Sequence, residues 1–246
     1  MNVHVYKMTC LTNLHVGNGD VNYSIIDNEV EKDPVLGEPM IPSSGIKGAL
    51  LSHIKETEMS PTDVSTVFGD DKGRGAYKFL AGHLLSRPIR VSEGKGAYVN
   101  ATSYELIEYY ESLLKELGIN DSTGINSEKG KTLSNSRNKS AEGISIDQTV
   151  SNKRLEELSG KNWMITDEKM LGMVSLPVTA RNKLSDTGES LTLWYEEFVP
   201  YHSVFFTVII TPGKENKLDQ YIDGKIVQFG ANATIGYGLT RIDKLF

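Results

Sequence analysis

The 246-residue chain has one cysteine, Cys10. That excludes internal disulfides and cysteine-rich zinc sites and suits a reducing compartment, so a cytoplasmic location is expected. Long apolar runs are also missing. The longest, residues 204–210, is interrupted by Thr207 and is far too short to span a bilayer. The opening residues, Met1-Asn2-Val3-His4-Val5-Tyr6-Lys7, lack a basic segment leading into an apolar one, so neither a signal peptide nor a membrane partner is expected. Positive charge is in deficit, with 26 Lys and Arg against 32 Asp and Glu for a net charge of −6. This balance argues against a general DNA binder, although only weakly. The chain has no His-Glu-x-x-His, no Gly-x-Ser-x-Gly elbow and no Gly-x-Gly-x-x-Gly. Gly130-Lys131-Thr132 ends like a phosphate-binding loop, but its upstream glycine, Gly124, lies one residue too far and no strand precedes it.

What is present describes an ordinary folded chain. Hydrophobic residues make up 39% and charged residues 24%, which excludes a mostly disordered protein and allows a sizeable core. Charge is unevenly distributed. Residues 20–38 hold six acids (Asp20, Asp27, Glu29, Glu31, Asp33, Glu38) and one base, Lys32, whereas residues 129–154 hold six bases and two acids, Glu142 and Asp147. The default reading is two solvated loops of opposite sign. The sharper one is a carboxylate site beside a nucleic acid held elsewhere by the bases.

The pattern predicts an opening strand over 3–11 and extended chain over 39–42, where the prolines disfavour helix. A helix follows to about residue 56, with Ser43 or Ser44 as N-cap and Ile46, Leu50, Leu51 and Ile54 as its apolar stripe. Strands are expected over 76–85 and 88–91, and a strong amphipathic helix over 104–117 ended by Gly118. Residues 120–152, rich in Ser, Asn, Gly and Lys, read as an exposed insertion. Two strands over 173–179 and 190–198 flank Asp186-Thr187-Gly188-Glu189 as a long hairpin. A β-branched strand over 204–211, a short helix over 218–227, a glycine loop over 229–238 and a last strand over 239–245 complete the chain. The order fits an α+β, ferredoxin-like core carrying decorations.

Three segments are candidates for chemistry. In the first, Leu14-His15-Val16-Gly17-Asn18-Gly19-Asp20 with Ile26-Asp27-Asn28-Glu29 combines glycines, a histidine and carboxylates, a set suited to phosphodiester chemistry, though a plain surface loop has the same composition. In the second, Pro42-Ser43-Ser44-Gly45-Ile46-Lys47 places hydroxyls and a lysine at a helix N-terminus, a ready phosphate site. Ordinary capping accounts for the serines, but a cation in the first turn opposes the helix dipole unless an anion sits there. In the third, Gly230, Asn232, Thr234, Gly236, Tyr237 and Gly238 belong to a loop whose N–H groups suit a polyanion, or which is simply a glycine turn. No aromatic pair resembling an RNA-recognition signature is visible, which favours reading of shape over base stacking.

Taken together, these segments resemble the RAMP superfamily of CRISPR proteins, and within it the backbone subunits of type III-B (Cmr) effector complexes. The resemblance rests on Leu14-His15-Val16-Gly17-Asn18-Gly19, Asp27 with residues 39–48, Val67-Phe68-Gly69 and Leu84-Leu85-Ser86-Arg87-Pro88-Ile89-Arg90. It continues through Ala180-Arg181-Asn182, Leu193-Trp194-Tyr195-Glu196-Glu197-Phe198-Val199-Pro200 and the glycine loop. The last two favour Cmr over the sister Csm form, which residues 26–28 and 33–39 also resemble.

The resemblance implies a single domain over 1–246. This would be a modified RNA-recognition-motif palm, with a partly helical insertion over 103–170 and a protruding β-hairpin thumb over 175–199. It implies copies stacked along a CRISPR guide RNA beside other Cmr-complex subunits, with complementary target RNA cut at regular intervals. By position the cleaving aspartate is Asp27, acting with Mg²⁺ or Mn²⁺, and Asp20 is its rival. Ser43, Ser44 and Lys47 match guide-binding positions, and Arg181, Asn182, Lys183 and Leu184 lie on the thumb. His15 is a candidate helper by proton transfer and Glu197 by orienting metal or water. Their alternatives are a bond from His15 to the backbone of its own loop and a Glu197–Arg181 pair across the hairpin. A non-catalytic RNA-binding filament subunit and a guide-processing endoribonuclease are the competing functions.

Overall fold

The computed structural model describes residues 2–17, 19, 25–93, 96–125, 138–143, 145–146, 152–160, 163–166 and 171–246. The chain opens with β1 (Asn2–Cys10), β2 (Met40–Ile41), α1 (Ser43–Ile54) and α2 (Pro61–Phe68). The short strands β3 (Gly69–Asp70), β4 (Gly73–Arg74) and β5 (Lys78–Phe79) precede the long β6 (Gly82–Glu93). Next come β7 (Tyr98–Ser103), α3 (Tyr104–Glu116), β8 (Asn138–Ser140), β9 (Ser145–Ile146), α4 (Lys153–Ser159) and β10 (Trp163–Thr166). The hairpin strands β11 (Val178–Leu184) and β12 (Ser190–Glu197) follow, then β13 (Val204–Thr211), α5 (Asp219–Ile222), β14 (Ile226–Gln228) and β15 (Leu239–Lys244).

The main sheet runs β10-β7-β6-β13-β1-β15-β14. Its centre is the ferredoxin-like βαββαβ unit formed by β1, α1, β6, β13, α5 and β15. In that unit β1 lies between β13 and β15, antiparallel to both. The α3–β10 segment and the hairpin are both inserted between β6 and β13, so they decorate this unit without interrupting it.

Both faces of the sheet are covered. On one, Tyr6, Met8, Phe205 and Ile209 pack with Ile46, Leu50 and Ile54 of α1 and Ile222 of α5. On the other, Val5, Phe206 and Val208 pack with Ile107, Tyr110 and Leu114 of α3 and Leu155 and Leu158 of α4. Successive side chains of a strand point to opposite faces. A strand buried on both sides must therefore be apolar throughout, and this explains the run Val204-Phe205-Phe206-Thr207-Val208-Ile209-Ile210. Among the described residues no helix is long and apolar enough to cross a membrane.

Several boundaries differ from the sequence expectation. Helix α1 begins at Ser43 with Pro42 at the cap position, and neither serine caps it. Of the strands expected over 76–85 and 88–91, the first begins as the separate short β5, and the rest is one strand with the second, β6, which passes through Pro88. Helix α2 was not expected, although Ser60 caps it, its Oγ accepting from Asp63 N at 3.1 Å, and Pro61 pre-sets the first turn. The first hairpin strand starts at Val178, five residues later than 173. The expected 218–227 helix is only the single turn α5, followed by β14.

Candidate functional site at the hairpin root

Strands β11 and β12 form a two-stranded sheet apart from the main one, from Val178 opposite Glu197 out to Leu184 opposite Ser190. The hairpin's outer half is exposed, Leu184 by 56%, and its root packs against two loops. One loop contains His15 and the other is the glycine loop. Chain direction alternates side chains along β12, so the adjacent acids Glu196 and Glu197 face opposite ways. Both are buried, and each holds a different part of the root.

Glu196 faces the loops. Its Oε2 accepts from Arg181 Nε at 2.6 Å and its Oε1 from Asn232 Nδ2 at 2.6 Å, with His15 Nε2 3.5 Å from Oε1. His15 Nδ1 donates to the carbonyl of Glu197 at 2.7 Å. The Arg181 guanidinium also lies over the Tyr237 ring, 4.7 Å from its centroid, a cation–π contact. Glu197 faces the acidic loop, where its Oε2 accepts from Val30 N at 3.1 Å and its Oε1 from Lys32 Nζ at 3.3 Å.

Asp27 sits on the outside of this root. Its backbone N–H donates to the Tyr195 carbonyl at 3.0 Å and its Oδ2 accepts from Tyr195 N at 2.8 Å. Asn28 forms a parallel bridge with Glu196, so residues 27–30 run as an added edge along β12. The carboxylate is exposed while its backbone is fixed. Ile25 is 86% exposed, and the hydrogen bonds to β12 together with buried Val30 hold the segment. Further along, Glu38 accepts from Arg87 Nε at 2.9 Å, and both are buried. Arg87 Nη2 also donates to the carbonyls of Leu171 and Val174. This buried pair ties the far end of the acidic loop to β6.

The structure brings Asp27, His15, Glu197, Arg181 and Asn232 together at the hairpin root. His15 is buried, its Nδ1 bonded to the backbone of Glu197 and not to that of its own loop, and its Nε2 lies 3.5 Å from Glu196. The partner of Arg181 is Glu196, whereas Glu197 belongs to Val30 and Lys32. The glycine loop packs on the His15 loop: Ala231 N donates to His15 O at 2.8 Å and Gly238 N to Asn13 O at 2.7 Å. A side chain on Gly230 would collide with the His15 carbonyl and one on Gly238 with that of Phe229, and both have positive φ, +70° and +80°. Gly230 serves loop-on-loop packing and Gly238 the close return of the loop onto Phe229, while Gly230, Ala231 and the turn containing Thr234 and Gly236 are open to solvent.

Ser43, Ser44 and Lys47 are exposed on α1, separate from this cluster in the chain's hydrogen bonding. Asn182 and Lys183 are exposed near the hairpin tip. Asp20 and most of 126–151 lie outside the described residues. Glu196 was missed as a functional residue, although adjacent acids in the otherwise apolar strand 193–198 were a signal that one faces each side.

Among the described residues no group of three or more His, Cys, Asp or Glu is arranged to hold an ion. Asp27 would bring one exposed carboxylate, with one oxygen accepting from Tyr195 N, and Mg²⁺ is usually held by one or two carboxylates with water and substrate phosphates completing its shell.

The family model described as the RAMP superfamily matches residues 7–241. The chain belongs to the RAMP superfamily. It is 26% identical to the CRISPR system Cmr endoribonuclease Cmr4 of Pyrococcus furiosus, over 98% of this chain and 95% of that protein. It is 25% identical to the CRISPR system CMR subunit Cmr4 of Saccharolobus solfataricus, over 98% and 96%. Among solved structures, this RAMP fold superposes on a chain of the Type III-B Cmr-beta complex, determined by cryo-EM with cognate target RNA. The TM-score is 0.83 at 23% identity, covering 99% of this chain and 97% of that one. Oligomeric Cmr4 from Pyrococcus furiosus gives a TM-score of 0.65 at 17% identity, with 99% of each chain covered.

Proposed function

We propose that this chain is the backbone subunit of a type III-B CRISPR ribonucleoprotein. It stacks with copies of itself along a guide RNA, beside other Cmr-complex subunits, and cuts the complementary target RNA. The observation that carries the reading is the match to the Pyrococcus furiosus Cmr endoribonuclease over nearly the full length of both chains. The exposed aspartate fixed at the root of a free-standing hairpin supplies a matching chemistry.

In this reading the hairpin separates bases of the guide–target duplex, and the target nucleotide beside its root is unstacked. The 2′-oxygen of that nucleotide attacks the adjacent phosphorus. The O2′–P bond forms and the P–O5′ bond breaks. Asp27 takes the 2′-hydroxyl proton and the departing 5′-oxygen takes one from water, leaving a 2′,3′-cyclic phosphate and a 5′-hydroxyl. Proximity carries much of the rate, because the attacking and leaving oxygens must lie in line. Mg²⁺ or Mn²⁺ enters the proposal only as a weakly held ion, with most of its ligands drawn from RNA phosphates and water. Lys47 with the open N-terminus of α1 supplies a sequence-independent phosphate contact for the guide.

Reconstitution with guide RNA and the other complex subunits tests this. Target RNA should be cut at regular spacing in Mg²⁺ by the assembly and not by the isolated chain. An intact target in a complete assembly overturns the reading. Cutting of a precursor guide hairpin by the isolated chain would point instead to guide processing.

A further inference from the structure

A second built feature lies on the other side of the hairpin root. In the β6–β7 ladder Arg90 stands opposite Tyr98, so both side chains share one face of the sheet. Strand β6 continues past the start of β13, and the turn leading into β13 folds beside this end. There the His202 ring lies parallel to that of Tyr98, with centroids 6.1 Å apart and planes 11° from parallel, and Tyr201 meets His202 edge-on at 4.8 Å. Phe198 closes the opposite wall and packs edge-on against Tyr237, the ring that carries Arg181. Proline rings complete a cavity of about 410 Å³, within the size range of small-ligand pockets, roughly 300–1,000 Å³.

The chemistry of the wall is selective. No Asp or Glu lines the cavity among the described residues, in a chain whose net charge is −6. Arg90 is exposed, and among the described residues no carboxylate is paired with it. Tyr98 is 37% exposed and Tyr201 51%, so apolar ring faces stand in water. His202 adopts a left-handed backbone, φ 70°, uncommon outside glycine. It is held there by its N–H donating to Cys10 O at 2.7 Å, while Tyr201 N donates to Asn13 Oδ1 at 3.1 Å. Strained backbone that the surroundings hold in place collects at ligand sites. Aromatic faces with a cation and no acid suit a nucleobase and its phosphate.

We infer that this groove is a stacking site for one unpaired nucleobase of bound RNA, with the phosphate of that nucleotide facing Arg90. The inference rests on the RNA-binding function proposed above. It departs from the preference for shape reading drawn from the sequence, where the rings, from residues 98 and 201–202, are too far apart to show as a motif.

The test is fluorescence anisotropy of a fluorescein-labelled oligouridine with the purified full chain, comparing wild type with Tyr98→Ala, Tyr201→Ala, Tyr98→Phe and Arg90→Ala. Thermal unfolding checks each fold. Each Tyr→Ala variant should bind roughly 5- to 150-fold more weakly, the equivalent of about 1–3 kcal/mol of stacking. Tyr98→Phe should stay within about threefold of wild type, because a ring face remains. Arg90→Ala should lower the salt slope by about one phosphate contact, and Tyr98→Ala should leave that slope unchanged. Equal affinity of wild type and both alanine variants would remove the groove and leave the proposed function standing. Failure of wild type to bind the oligouridine would overturn the groove, while the proposed function is decided by cleavage in the reconstituted assembly. Loss of self-association in the Tyr98→Ala variant, with RNA affinity intact, would assign the groove to a second copy and overturn the inference.

Discussion

Glu196 and Arg181 meet across the hairpin, Oε2 to Nε at 2.6 Å, and the same carboxylate receives Asn232 from the glycine loop. One buried group thereby joins strand β12, strand β11 and the loop before β15. Truncating one partner of such a pair leaves an uncompensated charge and costs about 3–5 kcal/mol. Arg181 keeps partial access to water, its side chain being 20% exposed, so Glu196→Ala should cost nearer the lower end, about 3 kcal/mol. Glu196→Gln retains an acceptor and should cost about 1–2 kcal/mol. Urea denaturation measures both. A loss below about 0.5 kcal/mol in Glu196→Ala would place it with ordinary surface substitutions and show that the hairpin root is held by its backbone ladder alone.

Lys47 is exposed as the fifth residue of α1, just beyond a first turn that holds no acid and has no side-chain cap. Removing its exposed side chain costs no packing. Lys47→Ala should therefore leave urea stability within about 0.5 kcal/mol. It should weaken guide RNA retention and lower the salt slope of binding by about one. A variant with unchanged affinity and slope would make Lys47 a solvated surface charge.

The parts of the fold visible in the sequence are those governed by local rules. Residues 204–211 were legible because both faces of β13 are buried, and residues 104–117 because α3 alternates apolar and polar faces at helical period. The exposed Leu184 near the hairpin end was legible too, since nothing apolar surrounds it in sequence. The hairpin's starting residue was not, because Val174 and Leu176 are buried in the core yet belong to no strand. The pairing of Arg181 with Glu196 in place of Glu197 depends on hairpin register, and moving one residue along a strand changes the face. The glycines of the last loop were visible as glycines. The purpose of Gly230, close approach to the His15 carbonyl, is a contact more than two hundred residues apart in the chain.

His83 couples the acidic loop to the sheet. Its Nδ1 lies 3.3 Å from Asp33 Oδ2, and Tyr109 Oη lies 3.2 Å from its Nε2. Burial holds its pKa below the ordinary 6.5, with Asp33 opposing. His4 is lowered in the same direction by burial and Lys244. For a histidine lowered in the fold, the unfolded chain takes up the proton first as pH falls through about 6.5, so native stability drops there. The exposed carboxylates Asp63 and Asp70 are lowered from 3.8, and their contribution is lost only at more acidic pH. Unfolding free energy should fall between about pH 7.5 and about pH 5.5, and His83→Gln should reduce that fall. An identical fall in wild type and His83→Gln would clear His83 of any part in it.

Asp27 combines two tasks that two substitutions separate. Its carboxylate accepts the Tyr195 amide at 2.8 Å and anchors the segment, and the same exposed group is the proposed base for the 2′-hydroxyl. Asparagine keeps a carbonyl oxygen for the Tyr195 amide but cannot take the proton. Alanine loses both. Asp27→Asn should therefore assemble and bind target RNA like wild type while single-turnover cleavage falls by about 10²- to 10⁴-fold, the usual contribution of a positioned general base. Asp27→Ala should show the same loss of cleavage and an added destabilisation of about 0.5–1.5 kcal/mol from the missing hydrogen bond. Asp20→Ala is the comparison that identifies the carboxylate, because it carries the same charge change in the same acidic stretch. Full cleavage by Asp27→Asn would remove Asp27 from the chemistry and leave it an anchor. Loss of cleavage in Asp20→Ala alone would transfer the role of base to Asp20.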